Sequence, residues 1–334
     1  MTRRPEAGAG TVGNVSPRLR LYAIVAVAAV GAAGLTVGIT LATRTTPPKR
    51  AAAPKGVPPL VVDLGVRTDS EAVALRRAAG LYESGKLSSA ARIFDRYRSV
   101  EAQVGAALAR WPDGFLALSE LAGTRPRSSL VQLEYGVALY WRGAQTEAKA
   151  AWRSALAAQP DTPYAVRAED LLYPDFPRGL PEFVPSFPAP EGLASLSPPR
   201  QFAELARRAK GRGARDKLLY GVALQRLGRQ RSALREFERA AELAPGEPEP
   251  KVAVAVARFD KAQPARTFSR LGPLSSRYPK SQSVRFHLGL CLLWLGSVDK
   301  AKEELRLARS LGARTPLGRQ AQAFLTRLKK IRTS

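Results

Sequence analysis

From Leu130 to Pro160 the chain reads LVQLEYGVALYWRGAQTEAKAAWRSALAAQP. Gly136 is small, Leu139 follows three residues later, and Gly143 marks a turn. Ala148, Trp152 and Ala155 then recur at helical spacing, and Pro160 closes the unit. The same order returns from Leu218 to Pro245 as Gly221, Leu224, Gly228, Ala233, Phe237, Ala240 and Pro245. It returns again as Gly289, Leu292, Gly296, Ala301, Leu305 and Ala308, and more weakly as Ala78, Leu81, Gly85, Ala90 and Phe94. Small residues let two helices approach, large ones fill the space between them, and glycine permits the tight turn. One such pair cannot hide its apolar face alone, so the pattern predicts pairs stacked into an all-α solenoid.

These units resemble the tetratricopeptide repeat family, here in a membrane-anchored form of bacterial type. The resemblance covers about Ser70 to Arg314 apart from a proline-rich middle. It implies that the first helix of each pair lines a concave groove that binds an extended peptide or a partner helix. By that resemblance the groove residues are Leu133, Val137, Tyr140 and Trp141 in one unit, Arg226 in another, and Phe286, Leu290, Leu293 and Trp294 in the last. Large aromatics on a groove suit partner contacts. These positions are also very apolar for free surface, so two readings stand: an open groove, or a face buried by the proline-rich segment or by neighbouring repeats.

A larger order lies above the repeat. Ala109-Arg110-Trp111 corresponds to Ala257-Arg258-Phe259. Pro126 and Pro279 each stand ten residues before a repeat glycine, and Thr162-Pro163 corresponds to Thr315-Pro316. The chain therefore reads as a tandem duplication. Each half holds a repeat, a degenerate helix pair, a second repeat and a closing helix capped by threonine with proline in its first turn. The extra residues of the second half fall between Arg98 and Glu101 or between Trp111 and Pro126, depending on the alignment, and both places read as loops.

Residues 1–20 form a polar basic tail. Leu21 to Ala42 is free of charge over 22 residues; as a helix it covers roughly 33 Å, enough for a hydrocarbon core of about 30 Å. It predicts a single transmembrane helix at 21–42. Basic residues flank both ends equally, and the expected arrangement is a short tail inside with the large domain exported. Gly34 and Gly38 have the spacing of a close helix–helix contact. Gly8-Ala9-Gly10-Thr11-Val12-Gly13 matches a dinucleotide fingerprint in letters only, because it lies in a tail upstream of a membrane span. Residues 43–69 read as a proline- and alanine-rich linker, 70–172 as the first half, 173–199 as a proline-rich segment, and 200–334 as the second half with its capping helix. The embedded aromatics Tyr173, Phe176, Phe183 and Phe187 argue that 173–199 packs along a surface.

Composition removes several function classes. The 334 residues include one cysteine and one histidine, which excludes an internal disulfide, a thiolate zinc cluster and a multi-histidine metal site. His287 and Cys291 share a helix face without a third orienting group and read as packing residues. Net charge is +25, which favours anionic partners. Between Arg200 and Arg239 there are 12 basic and 4 acidic residues. Arg207, Arg208, Lys210, Arg212, Arg215 and Lys217 form a candidate anion patch for acidic tails, phosphate or lipid headgroups. Nucleic acid is disfavoured, because Tyr220 is the one aromatic between Arg207 and Arg235 and stacking needs interleaved aromatics. The functional expectation is a non-catalytic, membrane-anchored protein-interaction scaffold with no cofactor and no metal. Its partners would be proteins with acidic or apolar extended segments; the alternative is an anion binder working through the arginine-rich middle.

Overall fold

In the computed structural model, which describes residues 54–332, each predicted repeat is a pair of antiparallel helices. The first half comprises α1 (Ser70–Glu83) with α2 (Leu87–Phe94), α3 (Val100–Ala109) with α4 (Phe115–Thr124), α5 (Ser129–Trp141) with α6 (Gln145–Ala158), and the closing helix α7 (Pro163–Leu172). After a short 3-10 turn at Leu193–Ser195 and an additional helix α8 (Pro198–Arg208), the second half repeats the scheme. It pairs α9 (Ala214–Arg226) with α10 (Gln230–Leu243), α11 (Pro248–Ala257) with α12 (Arg266–Arg277), and α13 (Gln282–Trp294) with α14 (Val298–Ser310), and α15 (Pro316–Arg332) closes it. The described residues are thus all-α, and their order matches the duplication read from the sequence.

The contacts inside each pair have the predicted cause. A Cβ added to Gly136 would lie 2.5 Å from the Trp152 ring, and one on Gly289 would lie 2.9 Å from Leu305. Phe237 stands over Gly221 in the same way. Each glycine lets the second helix press a large side chain against the backbone of the first. Burying a side chain of the size of Phe237 contributes about 2–3 kcal/mol. The turns after α1, α5, α9 and α13 hold Gly85, Gly143, Gly228 and Gly296 at φ of 74°, 82°, 69° and 71°, where a Cβ would be strained. Thr162 caps α7 by accepting from Ala165 N–H with Pro163 in the first turn. Thr315 Oγ1 accepts from Gly318 N–H at 3.0 Å at the corresponding start of α15.

The halves meet where α7 abuts the α9–α10 turn. Asp161 accepts from Ser232 N–H at 2.9 Å, and a Cβ on Gly228 would lie 2.6 Å from Pro163 Cα. Beside them the buried Lys261 ammonium donates to Asp170 and, at 3.1 Å, to the Pro177 carbonyl. Breaking such a buried pair leaves an uncompensated charge, which costs far more than losing a surface bridge.

Three sequence expectations meet the structure differently. At the first of the two alternative places, the second half lengthens a helix instead of a loop: α10 has 14 residues and its counterpart α2 has 8. The linker 43–69 is not a free spacer over its described part, since residues from Val57 to Leu64 pack against the first-half core. The tail and the span 21–42 lie outside the described residues. Among the described residues no helix is long and apolar enough to cross a membrane.

Candidate functional site

The residues assigned to a groove lie on the first helices of their pairs, α5, α9 and α13, but little of that surface is open. Leu133, Val137, Phe286, Leu290, Leu293 and Trp294 are buried, Tyr140 and Trp141 are half-buried, and Arg226 is exposed. Of the two readings, the covered face is the one observed. The covers are two extended segments of the chain itself. Residues 57–64 lie over the first half, placing Val57, Leu60, Val61 and Val62 on the core that contains Leu133 and Val137. Residues 176–187 lie over the second half. Phe176, Leu180 and Val184 meet the cluster of Phe286, Leu290, Leu293 and Trp294, while Phe183 is 1% exposed and packs edge-on against Phe237 at 5.5 Å.

Neither cover is a strand. Among the described residues, 57–63 and 177–189 make no backbone–backbone hydrogen bond. Several of their main-chain groups are held by side chains of the helices instead, which is how a receptor holds a peptide. Over the first half, Tyr82 O–H donates to the Pro58 carbonyl. Val61 N–H donates to Glu134 Oε1 at 2.8 Å, and Asp63 N–H to Tyr164 Oη at 3.1 Å. Over the second half, Gln225 Nε2 donates to the Pro181 carbonyl at 3.3 Å and Gln225 Oε1 accepts from Phe183 N–H at 3.4 Å. Val184 N–H donates to His287 Nε2 at 2.9 Å. Ser186 donates to Glu249 through both its amide and its hydroxyl.

Burial tunes these clamps. His287 is fully buried, and burial lowers its pKa to about 4, so the ring is neutral. Its Nδ1 donates to the Ser283 carbonyl at 2.7 Å, which leaves Nε2 as the acceptor that Val184 needs. Burial pushes the Glu134 carboxyl up to about 8. Tyr82 and Tyr164 are held well above the usual phenol range, again by burial; the neutral Tyr82 donates to Pro58, and Tyr164 both accepts from the Asp63 N–H and donates to the Asp63 carbonyl at 2.9 Å. Burial also pushes the Cys291 thiol up to about 12, so this side chain offers no thiolate. Among the described residues no group of three His, Cys, Asp or Glu side chains is placed to hold a metal ion.

The basic patch is partly spent on the protein itself. Arg207 pairs with Glu204, and Arg208 pairs with Asp216 at 2.9 Å. Lys217 Nζ donates to the Ala209 carbonyl beyond the last turn of α8, and the Arg215 guanidinium sits 5.2 Å from the Phe187 ring centre. Lys210 and Arg212 are exposed. A cleft of about 340 Å³ between α10, α11 and α12 is lined by Ala241, Lys251, Val254, Arg258, Arg270 and Leu274, which present three cationic side chains.

Three helix pairs with a glycine-on-aromatic or glycine-on-aliphatic seam, a fourth with Ala78 in the glycine's place, and turn glycines at one register in all four define the architecture. The described residues form an all-α helix-pair solenoid that is tetratricopeptide-like in its architecture. No family model matches the sequence, and none of the curated proteins matches it. Solved structures that are similar include yeast Tom70, at 12% identity over 82% of this chain and 52% of that one, with a TM-score of 0.34. A tetratricopeptide repeat protein from Parabacteroides merdae is 12% identical over 78% of this chain and 99% of its own, with a TM-score of 0.32. YrrB, described as a tetratricopeptide protein with an unusual peptide-binding site, is 16% identical over 62% of this chain and 98% of its own, with a TM-score of 0.28. The chain spans about half the length of the yeast Tom70 chain. At such scores the likeness says nothing of partner or activity.

The clamp residues Tyr82, Glu134, Tyr164, Gln225 and Glu249 were not legible as functional positions, and His287 read as simple packing. A signal for them existed in the two proline-rich stretches. Gly56-Val57-Pro58-Pro59-Leu60-Val61 and Gly179-Leu180-Pro181-Glu182-Phe183-Val184 share one pattern, visible once the duplication is extended past the helices.

Proposed function

We propose that this chain is a non-catalytic protein-interaction scaffold, fixed to a membrane by residues 21–42, with its solenoid outside the cytoplasm. The observation that carries the reading is that each half already holds an extended segment by its main chain, through side chains of the inner helices. A face that satisfies a peptide backbone with fixed donors and acceptors is built for extended protein segments. The anchor rests on the uncharged 22-residue stretch and its basic flanks.

The test is proximity labelling in the native cell with the label on the carboxy terminus, paired with alkaline extraction of membranes. The expected result is a chain that resists extraction and labels a recurrent set of extracytoplasmic proteins. Labelling confined to cytoplasmic proteins overturns the orientation, release by alkali overturns the anchor, and the lack of any recurrent neighbour overturns the scaffold.

A further inference from the structure

The two covering segments match each other position by position, and so do the side chains that hold them. Gly56 and Gly179 both have positive φ, 88° and 78°. Each follows a basic residue, Lys55 or Arg178, and precedes an apolar residue, a proline, a free position, an apolar residue and a valine. The proline carbonyl accepts from Tyr82 in one half and from Gln225 in the other. Both donors stand three residues before a turn glycine, Gly85 and Gly228. The valine N–H donates to Glu134 in one half and His287 in the other, and both acceptors stand two residues before a repeat glycine, Gly136 and Gly289. The holding residues have changed chemically from phenol to amide and from carboxyl to imidazole, yet each keeps its donor or acceptor role. Two different segments in two different grooves meet the same demands, so the grooves read a pattern rather than one sequence.

We infer that each groove is a receptor for an extended protein segment of the pattern basic–Gly–apolar–Pro–X–apolar–Val, filled at rest by the chain's own copy and open to exchange with a partner segment carrying the same pattern. This rests on the scaffold reading and supplies its partner chemistry. Each cover is seated as a ligand, with Pro58 and Pro181 buried while Val57, Leu60, Val61, Leu180 and Val184 remain only partly so. Gly56 and Arg178 are exposed at the entry. The tether keeps the cis copy at an effective concentration on the order of millimolar, so an incoming segment needs either additional contacts or a weakened cis copy.

The first groove gives the cleaner test, because a single cut frees its cover without dividing the solenoid. A protease site replaces residues 65–68, whose Gly65, Arg67 and Thr68 are exposed, in the full chain held in detergent. After cleavage, a fluorescent peptide of residues 54–67 is added and its binding is followed by anisotropy. The expected result is saturable exchange, with competition by a peptide of residues 177–190. N-methylation of Val61 in the peptide removes the donor to Glu134 and lowers affinity by about tenfold or more. L-alanine at position 56 weakens binding and D-alanine does not, because φ is positive there.

No exchange while helical circular dichroism is retained overturns the inference, as does failure of the 177–190 peptide to compete. Stoichiometric dimers of uncut chain formed by mutual cover exchange overturn the assignment to a separate partner. If the cut chain loses its helices, hydrogen exchange on the uncut chain decides. Val61 and Val184 amides must open more readily than the α5 and α13 core amides, and equal protection overturns the proposal. Failed exchange with recurrent cellular neighbours intact counts against the pattern alone. Exchange without such neighbours counts against the scaffold alone.

Discussion

At one position of the two grooves the first half uses a carboxyl and the second an imidazole. Glu134 gives Oε1 to Val61, while its buried Oε2 has no hydrogen-bond partner. His287 uses both ring nitrogens, one accepting from Val184 and one donating to Ser283, and stacks against Phe183 at 5.1 Å. The second clamp is polar-satisfied and aromatic; the first is half-satisfied and aliphatic. The comparison teaches that a hydrogen-bonding role can survive duplication while the group that performs it changes. It also teaches that the two halves should differ in how firmly they hold their covers.

The sharpest way to expose that difference is to truncate equivalent cover residues. Phe183→Ala removes a ring that is 1% exposed and is expected to cost about 3–5 kcal/mol. Leu60→Ala, at a half-buried position, is expected to cost about 1–2 kcal/mol. Urea denaturation of both variants measures the gap, and equal costs would break the distinction between the halves.

Next in size is a pH dependence of opposite sign. The folded-state pKa of Glu134 is raised to about 8 from 4.5, so the native state retains a proton that the unfolded chain has lost. First-half stability is therefore full below the unfolded value and falls as pH rises through that window. The folded-state pKa of His287 is lowered to about 4 from 6.5, so the unfolded chain binds the extra proton. Second-half stability is full above 6.5 and falls as pH drops toward 4. Hydrogen exchange at Val61 and Val184, corrected for intrinsic rates, should show the two covers loosening at opposite ends of the pH range. Glu134→Gln should flatten the first dependence and His287→Gln the second. A common sign at both amides would refute the assignment.

The smallest effect concerns the basic surface, which lies on α8, α9 and the turn between them and includes an element the first half lacks. Lys210→Ala and Arg212→Ala, both at exposed positions, are expected to change stability by less than about 0.5 kcal/mol and to leave peptide exchange unchanged. Loss of exchange in either variant would bring the patch into the recognition surface.

The helix pairs were readable because their defining contacts are local. Gly136 meets Trp152 sixteen residues later across one turn, and close approach demands a small residue opposite a large one at fixed spacing. The caps at Thr162 and Thr315 were readable for the same reason, since a cap acts within three residues. The covers were not. Val61 reaches Glu134 across 73 residues and Val184 reaches His287 across 103, and no local periodicity marks such a bond. Proline-rich composition pointed to linkers, and for residues 57–64 that reading failed because side chains, not a strand partner, satisfy the backbone. Phe183 was suspected of packing along a surface, but the surface it chose could not be read.

The order of residues alone was enough to read an all-α solenoid and its glycine-hinged pairs, because each follows from steric demands within a few turns of chain. The occupancy of the grooves, the neutral state of His287 and the burial of Trp294 were decided only by tertiary structure. They arise when distant main-chain amides, stripped of water, find whichever donors and acceptors the stacked helices bring beneath them.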